Sequence, residues 1–141
     1  MLIFRKAKDL SHWIENQAEK GLGLGFVPTM GALHSGHISL LNTSISENKI
    51  TVTSIFVNPT QFNDPKDFEK YPVTIENDTK LLETAGCDVL FLPDAGEIYP
   101  GGIVPRINYD LGFLENRLEG EFRPGHYQGV SMVVHRLLNI V

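Results

Sequence analysis

Apolar residues at helical spacing dominate the first part of the chain. Leu10, Trp13, Ile14 and Ala18 recur every three or four positions before the glycine at position 21. Side chains at this spacing share one face of an α-helix, so the pattern predicts an amphipathic first helix that packs its apolar face on a core.

Two further helices are predicted by the same spacing. The second begins near Ser35, and the third runs from Thr74 to Ala85 with Gly86 in the position that follows a helix C-terminus. The buried face of the second helix is expected to contain Ile38, Leu40, Leu41 and Ile45. Each of these helices comes after a short apolar segment, which is typical of alternating strands and helices.

Those apolar segments indicate buried strands. Residues 24–28 and 88–93 are short, apolar and ended by proline, while residues 50–57 are rich in β-branched side chains and stop before Asn58. Strands that alternate with helices predict an α/β fold, here a Rossmann-like, doubly wound parallel sheet. Ligands bind beyond the carboxyl ends of such strands, so the loops after residues 27, 57 and 92 are expected to meet at one site.

Three glycines, Gly21, Gly23 and Gly25, invite comparison with a dinucleotide-binding motif. They lie before or at the start of the first predicted strand instead of after it, and they lack the spacing of the third glycine in that motif. We therefore assign them to a turn.

Length, composition and charge limit the classes of protein to which the chain can belong. The 141 residues, of which 42% are hydrophobic, suit a single globular domain. A net charge of -5, with both signs spread along the chain, disfavours a nucleic-acid partner. The lone cysteine, Cys87, suits a buried, reduced side chain, and no apolar run is long enough to span a bilayer. We therefore expect a soluble, cytoplasmic protein with no membrane partner.

The segment 28–37 has the composition of a phosphate-binding loop. Gly31 and Gly36 allow the backbone to approach a ligand, and a helix N-terminus presents free N–H groups and a positive dipole end to an anion. His34 and His37, three residues apart, lie on one helical face and add donors. This arrangement suits a carboxylate that displaces pyrophosphate from the α-phosphorus of ATP. A zinc site is disfavoured, because the motif lacks the spacing of H-E-x-x-H and has no clustered ligands beside it.

Two later loops carry polar groups beside predicted element ends. Asn58 and Gln61 follow a strand, and their amides can hold the hydroxyl and carboxylate of a small acid. An Asx turn would explain Asn58 equally well but would leave Gln61 unexplained. In residues 123–130, an arginine and His126 form either an anion-facing loop or a solvated surface turn, and the residues favour neither.

With these residues in place, the chain resembles the pantothenate synthetase family over nearly its whole length. The similarity is carried, in order, by V-P-T-M-G-A-L-H-S-G-H at 27–37, S-I-F-V-N-P-T-Q-F at 54–62, E-I-Y-P at 97–100, L-E-G at 118–120 and R-P-G-H-Y-Q-G-V at 123–130. H-x-G-H alone indicates only the broader nucleotidyltransferase superfamily, whereas the second and last motifs are restricted to this family. The resemblance therefore implies a fold of the H-x-G-H nucleotidyltransferase type.

The activity that the resemblance implies is an ATP-dependent ligation in coenzyme A biosynthesis. Pantoate and ATP would give a pantoyl adenylate and pyrophosphate, and β-alanine would then attack the adenylate to give pantothenate and AMP. ATP would be a substrate accompanied by Mg²⁺, with no organic prosthetic group, and the protein would be a homodimer.

The resemblance also implies roles for individual residues. The ATP-binding loop would comprise Met30, Gly31, Ala32, Leu33, His34, Ser35, Gly36 and His37. In it, His37 would be the proton donor and His34 would help to stabilise the phosphates. Gln61 would bind pantoate and line the β-alanine site. The remaining implied site residues are Asn58, Tyr71 and His126 in the pocket and Asp78 near magnesium.

Two departures from the family pattern stand out. Val73 replaces the arginine usual in Y-P-R-T, so a basic contact is absent. Family chains are about twice as long, and the apolar residues 134–141 end without a helix-stop signal. Residues 1–141 are thus expected to be the N-terminal nucleotide- and pantoate-binding domain without the family's C-terminal lid domain. The alternatives are a non-catalytic ATP-binding half and another adenylyl-transferring enzyme of the same fold.

Overall fold

A parallel sheet organises the part of the chain that the computed structural model describes, residues 1–103 and 108–141. Its strands are β1 (Leu2–Phe4), β2 (Leu24–Thr29), β3 (Ile50–Ile55) and β4 (Val89–Phe91). They lie in the order β1-β4-β3-β2, and each pairing is parallel. The short edge strand β1 was not predicted, because three residues with exposed Leu2 and Ile3 give too little pattern to detect.

Helices cover both faces of this sheet. They are α1 (Ala7–Ala18), α2 (Ser35–Glu47), α3 (Pro65–Glu69), α4 (Ile75–Ala85), α5 (Ala95–Ile98), α6 (Glu119–Phe122) and α7 (His126–Leu138), with 3-10 turns at Pro59–Gln61 and Gly112–Asn116. One apolar cluster joins α1 and α7 to the sheet through Leu10 and Val133, and the other joins α2 and α4 to it through Leu41 and Leu82. The predicted doubly wound α/β fold is therefore confirmed.

Local patterns also placed several element ends correctly. The second helix begins at Ser35, as predicted, and α4 ends before Gly86, which adopts the left-handed conformation with φ 86°. Glycine reaches this conformation without the steric cost of a Cβ, which is why it follows so many helices. Cys87 is only 4% exposed, as expected of a structural thiol, and its burial raises its pKa.

Two expectations about packing were wrong. Leu40, assigned to the buried face of α2, is 61% exposed, and the buried stripe instead includes Ser44, which bonds the Thr51 hydroxyl at 2.8 Å. Gly25 belongs to β2 and not to the preceding turn. A Cβ at position 25 would lie 2.1 Å from the Ser44 hydroxyl oxygen, so glycine is what lets α2 pack closely on β2.

Candidate active site

The carboxyl ends of β2, β3 and β4 open into one cavity with a volume of about 330 Å³. Residues from all three following loops line it, including Met30 and Gly31 after β2, Val57 and Pro59 after β3, and Pro93 after β4. The loops that the sequence assigned to one site therefore meet, as the parallel topology requires.

The loop after β2 is held by a buried carboxylate from α4. Gly31 and Ala32 have φ angles of 83° and 50°, a left-handed conformation that is costly for alanine. Asp78, which is 0% exposed, accepts the N–H of Ala32 at 2.9 Å and the N–H of Leu33 at 2.8 Å. Two charge-assisted hydrogen bonds thus fix this turn.

His34 and His37 cap the N-terminus of α2 with their rings. His34 Nδ1 accepts the N–H of Gly36 at 3.1 Å, and His37 Nδ1 accepts the N–H of His34 at 3.3 Å. The ring centroids lie 4.1 Å apart, so the two predicted histidines are adjacent. Because each Nδ1 is an acceptor, the neutral rings carry their protons on Nε2. These two Nε2–H groups are then the ring donors available to a ligand.

The environment of His37 favours its neutral form. Burial lowers the pKa of His37 from its ordinary value of 6.5, and the neighbouring His34 lowers it further. The Asp78 carboxylate offsets part of this shift, because a nearby negative charge favours the imidazolium. His37 is therefore a neutral hydrogen-bond donor at neutral pH.

Several backbone donors of the loop are satisfied inside the protein. The sequence suggested free N–H groups facing an anion, but Ala32 and Leu33 donate to Asp78, while His34 and Gly36 donate to imidazole nitrogens. Local sequence could not reveal this, since the carboxylate comes from a helix more than forty residues away. Contact with an anion at this loop therefore depends strongly on the imidazole Nε2–H groups.

Asn58 is the centre of a buried hydrogen-bond network. Its side chain is 1% exposed, and its Nδ2 donates to the Gly129 carbonyl oxygen at 3.1 Å. Its Oδ1 accepts the Tyr99 hydroxyl at 2.8 Å and the N–H and hydroxyl of Thr60 at 3.3 and 3.0 Å. The Asx turn considered for this residue is present, and the Asn58 amide is committed to protein partners.

Gln61 links the loops after β2 and β3. Its Oε1 accepts Asn58 Nδ2 at 3.3 Å, and its Nε2 contacts the Met30 sulfur. His126, at the start of α7, lies with Nδ1 3.0 Å from the Gln61 carbonyl oxygen. A carbonyl oxygen can only accept, so His126 carries a proton on Nδ1. The fold thus brings Gln61, Asn58 and His126, which were expected in one pocket, together with Met30 of the expected ATP-binding loop.

Tyr71 lies just after α3 in an aromatic cluster. Its ring packs edge-on against Phe62, with centroids 5.7 Å apart. Burial and the nearby Asp78 carboxylate raise the pKa of Tyr71, so its hydroxyl stays protonated and can donate a hydrogen bond. Tyr71 does not line the cavity described above, whereas Val73 lines it and is 70% exposed.

Two members of the Asn58 network were not singled out from the sequence. Tyr99 donates to Asn58, and Gly129 accepts from it. A Cβ at position 129 would lie 2.5 Å from the Thr60 carbonyl oxygen, so only glycine allows α7 to approach the 3-10 turn. Both residues fall within motifs that carry the family resemblance, but spacing along the chain does not show that these motifs meet at Asn58.

Comparison with known sequences gives a consistent family match. A sequence profile of the family described as Pantoate-beta-alanine ligase matches residues 2–141. The chain is 48% identical to the pantothenate synthetase of Cytophaga hutchinsonii over 141 residues, which cover 100% of this chain and 49% of that protein. It is 48% identical to the pantothenate synthetase of Aquifex aeolicus, covering 99% of this chain and 49% of the relative. The chain thus spans about half the length of these relatives.

Solved structures agree with the sequence matches. The pantoate-β-alanine ligase of Francisella tularensis, complexed with beta-gamma ATP and beta-alanine, superposes with a TM-score of 0.91 at 47% identity, over 99% of this chain and 53% of that one. The pantothenate synthetase of Thermus thermophilus superposes with a TM-score of 0.86 at 42% identity, over 100% of this chain and 49% of that one. Both superpositions cover essentially the whole of the chain.

Proposed function

Since this chain belongs to the pantoate-β-alanine ligase family, we propose that it forms the ATP- and pantoate-binding part of an enzyme that makes pantothenate. In the first step, a pantoate carboxylate oxygen attacks the α-phosphorus of ATP, and pyrophosphate leaves. In the second, the β-alanine amine attacks the acyl carbon of the adenylate, so that an amide bond forms and AMP and a proton are released. Neither step needs a protein nucleophile.

One observation carries the proposal. The adjacent Nε2–H groups of His34 and His37 stand at the N-terminus of α2, where the helix dipole also favours an anion. Displacement of pyrophosphate spreads negative charge over phosphate oxygens, and fixed donors lower the barrier to such a reaction. His34 would hold the phosphates. His37 would donate toward the leaving pyrophosphate.

Gln61 is proposed to bind pantoate and to line the β-alanine site. Its Nε2 donates to the Met30 thioether, which is a weak acceptor. The same N–H can therefore donate to a hydroxyl or carboxylate oxygen of a substrate with the loss of only a weak hydrogen bond. The cavity wall nearby is apolar, including Ile55 and Val57, and suits the carbon skeleton of a small branched acid.

Asn58 and His126 are proposed to position Gln61 for substrate binding. Asn58 holds the Gln61 side chain, while His126 holds its carbonyl oxygen. Tyr71, whose ring packs on that of Phe62 next to Gln61, offers a protonated hydroxyl. Positioning by buried partners keeps a binding amide in a single orientation.

The implied magnesium role of Asp78 does not fit this geometry. Its buried carboxylate already accepts three hydrogen bonds, two from backbone N–H groups and one from the Thr74 hydroxyl at 3.0 Å. Magnesium retains several waters and demands near-octahedral oxygen ligation, which needs an accessible carboxylate. We propose instead that any magnesium enters with the nucleotide phosphates.

We extend the proposal to a cytoplasmic homodimer. Within the described residues, no helix has both the length and the apolar character needed to cross a bilayer. Three large apolar side chains close together in sequence, Phe113, Leu118 and Phe122, are 70% to 79% exposed. Exposed apolar side chains of this size support a protein contact through residues 113–122.

A binding-only role is the second candidate. The observation behind it is that the chain spans about half of its relatives' length. On this alternative, the chain binds ATP without transferring its adenylyl group. The third candidate is another adenylyl-transferring enzyme of the same fold. It would activate a carboxylate other than pantoate.

Pantoate-dependent ATP–pyrophosphate exchange on the 141-residue chain tests the proposal, with ATP titration by calorimetry on the same sample. Exchange that requires pantoate would establish that this half performs adenylation. ATP binding without exchange would assign the chain to the binding-only alternative, and exchange that prefers another carboxylate would favour the third candidate. A chain that binds neither ATP nor pantoate would refute the proposal.

A further inference from the structure

We propose that Asp78 is a positioning residue, which holds the Gly31–Leu33 turn in the shape that nucleotide binding requires. The inference rests on the proposed function of residues 30–37 as the ATP loop. It assigns Asp78 to the backbone of that loop and not to a metal ion.

The first support is that both oxygens of the Asp78 carboxylate accept hydrogen bonds from the protein. Oδ1 accepts the N–H of Leu33 at 2.8 Å, and Oδ2 accepts both the N–H of Ala32 at 2.9 Å and the Thr74 hydroxyl at 3.0 Å. A carboxylate offers about four lone-pair sites, so three are occupied by protein donors. The residue is 0% exposed, so its charge depends on these protein donors, two of which belong to the turn.

The second support is the strain that these bonds hold in place. Ala32 has a φ of 50°, which is uncommon for a residue with a Cβ and persists only where the surroundings fix it. A Cβ on Gly31 would lie 3.1 Å from both the Asp78 Oδ2 and the Ile55 Cγ2, so the turn packs tightly against its anchor. Without the carboxylate, the buried N–H of Leu33 and the partly buried N–H of Ala32 would lose their acceptor and the turn would relax.

The third support is that the turn leads directly into the histidine pair at the start of α2. Leu33 is followed directly by His34, the N-cap of α2, whose backbone N–H bonds to His37. A shift of the turn therefore moves the backbone that orients both imidazoles. Asp78 thus acts on ATP through the histidine pair, without touching the nucleotide.

The experiment compares the wild-type 141-residue chain with Asp78→Asn, which keeps the size of the side chain and removes its charge. Amide hydrogen exchange at Ala32 and Leu33 is measured relative to the β3 amides of residues 52–55, and ATP affinity is measured by calorimetry with and without Mg²⁺. Asp88→Asn is the matched control, because Asp88 also accepts a backbone N–H, that of Thr51 at 2.8 Å, but at the amino end of β4, away from the cavity.

We expect Asp78→Asn to speed exchange at the two turn amides by about tenfold or more relative to β3, as loss of a hydrogen bond to a charged group implies. ATP affinity should fall by a similar factor with and without Mg²⁺, and Asp88→Asn should change neither. An affinity loss confined to Mg²⁺-containing samples, or unchanged turn exchange, would overturn the inference.

A variant-free measurement covers the case in which Asp78→Asn fails to fold. Mn²⁺, added to the wild-type chain without nucleotide, broadens NMR signals beside a metal-binding carboxylate. We expect no selective broadening at Asp78, and selective broadening there would contradict the positioning role. If the wild-type chain binds no ATP, the proposed function fails, while the exchange comparison still decides whether Asp78 anchors the turn.

Discussion

His37 Nδ1 accepts the backbone N–H of His34, and the two imidazole rings lie with their centroids 4.1 Å apart. Protonation of His37 would place a hydrogen on the nitrogen that now accepts. Protonation of His37 and the hydrogen bond that caps α2 therefore exclude each other, because both need the lone pair of Nδ1. An anion at the helix start would shift this balance toward the charged ring, because it compensates the lost hydrogen bond.

Acid is expected to destabilise the chain through His37. Its pKa in the folded state lies below 6.5, so folding favours the neutral ring. The unfolded chain takes up the proton first as pH falls, and the stability from this group, fully present above pH 6.5, is lost as pH passes down through the lowered folded pKa. NMR titration of the ring and urea unfolding at several pH values measure both effects. A native His37 that titrates above 6.5 would contradict this, and His37→Asn should flatten the dependence.

His37→Ala should impair adenylation far more than folding. Removing a donor aimed at developing charge typically costs about 100-fold in rate, whereas loss of a capping contact costs about 1 kcal/mol of unfolding free energy. Pantoate-dependent exchange and urea unfolding give the two numbers. His12→Ala, at a site in α1 with a 78% exposed side chain, is the control and should change neither. Matching losses of rate and stability would remove the catalytic role of His37.

Gln61→Ala should weaken pantoate binding by about tenfold, the usual effect of losing a hydrogen bond to a charged group, and should leave ATP affinity within about twofold. The fold should persist, because Asn58 keeps its bond to the Gly129 carbonyl oxygen. Calorimetric titration with each ligand measures both affinities. Gln17→Ala in α1 serves as the matched control. Unchanged pantoate affinity in the Gln61 variant would mean that this amide is not a substrate ligand.

Asn58→Ala should act mainly on stability. It leaves the buried Tyr99 hydroxyl without its acceptor and removes one of the two side-chain donors to the Gly129 carbonyl oxygen, the other being the Thr60 hydroxyl, so we expect a loss of about 3 kcal/mol in the free energy of unfolding. Urea denaturation measures this loss. Asn63→Ala removes a single exposed bond to the Pro124 carbonyl oxygen and should cost well under about 1 kcal/mol. Equal effects of the two variants would show that the buried network contributes little.

The sequence by itself determined the main helices and strands and the edge of the sheet at which a site is expected. The start of α2 at Ser35 and the end of α4 at Gly86 follow from spacing and conformational preference within a few residues, and these act locally. The loop of residues 30–37 and Gln61 were predicted to bind ligands because they follow the ends of parallel strands, and this role remains a prediction.

Only the tertiary structure decided what those side chains contact. Asp78 reaches back across more than forty residues to the N–H groups of Ala32 and Leu33, and Asn58 meets Tyr99 and Gly129 from distant motifs. A hydrogen bond depends on ångström-scale placement of donor and acceptor, which the packing of helices on the sheet sets. Residue spacing shows which groups are present at a site, and the assembled fold decides which of them remain free for a ligand.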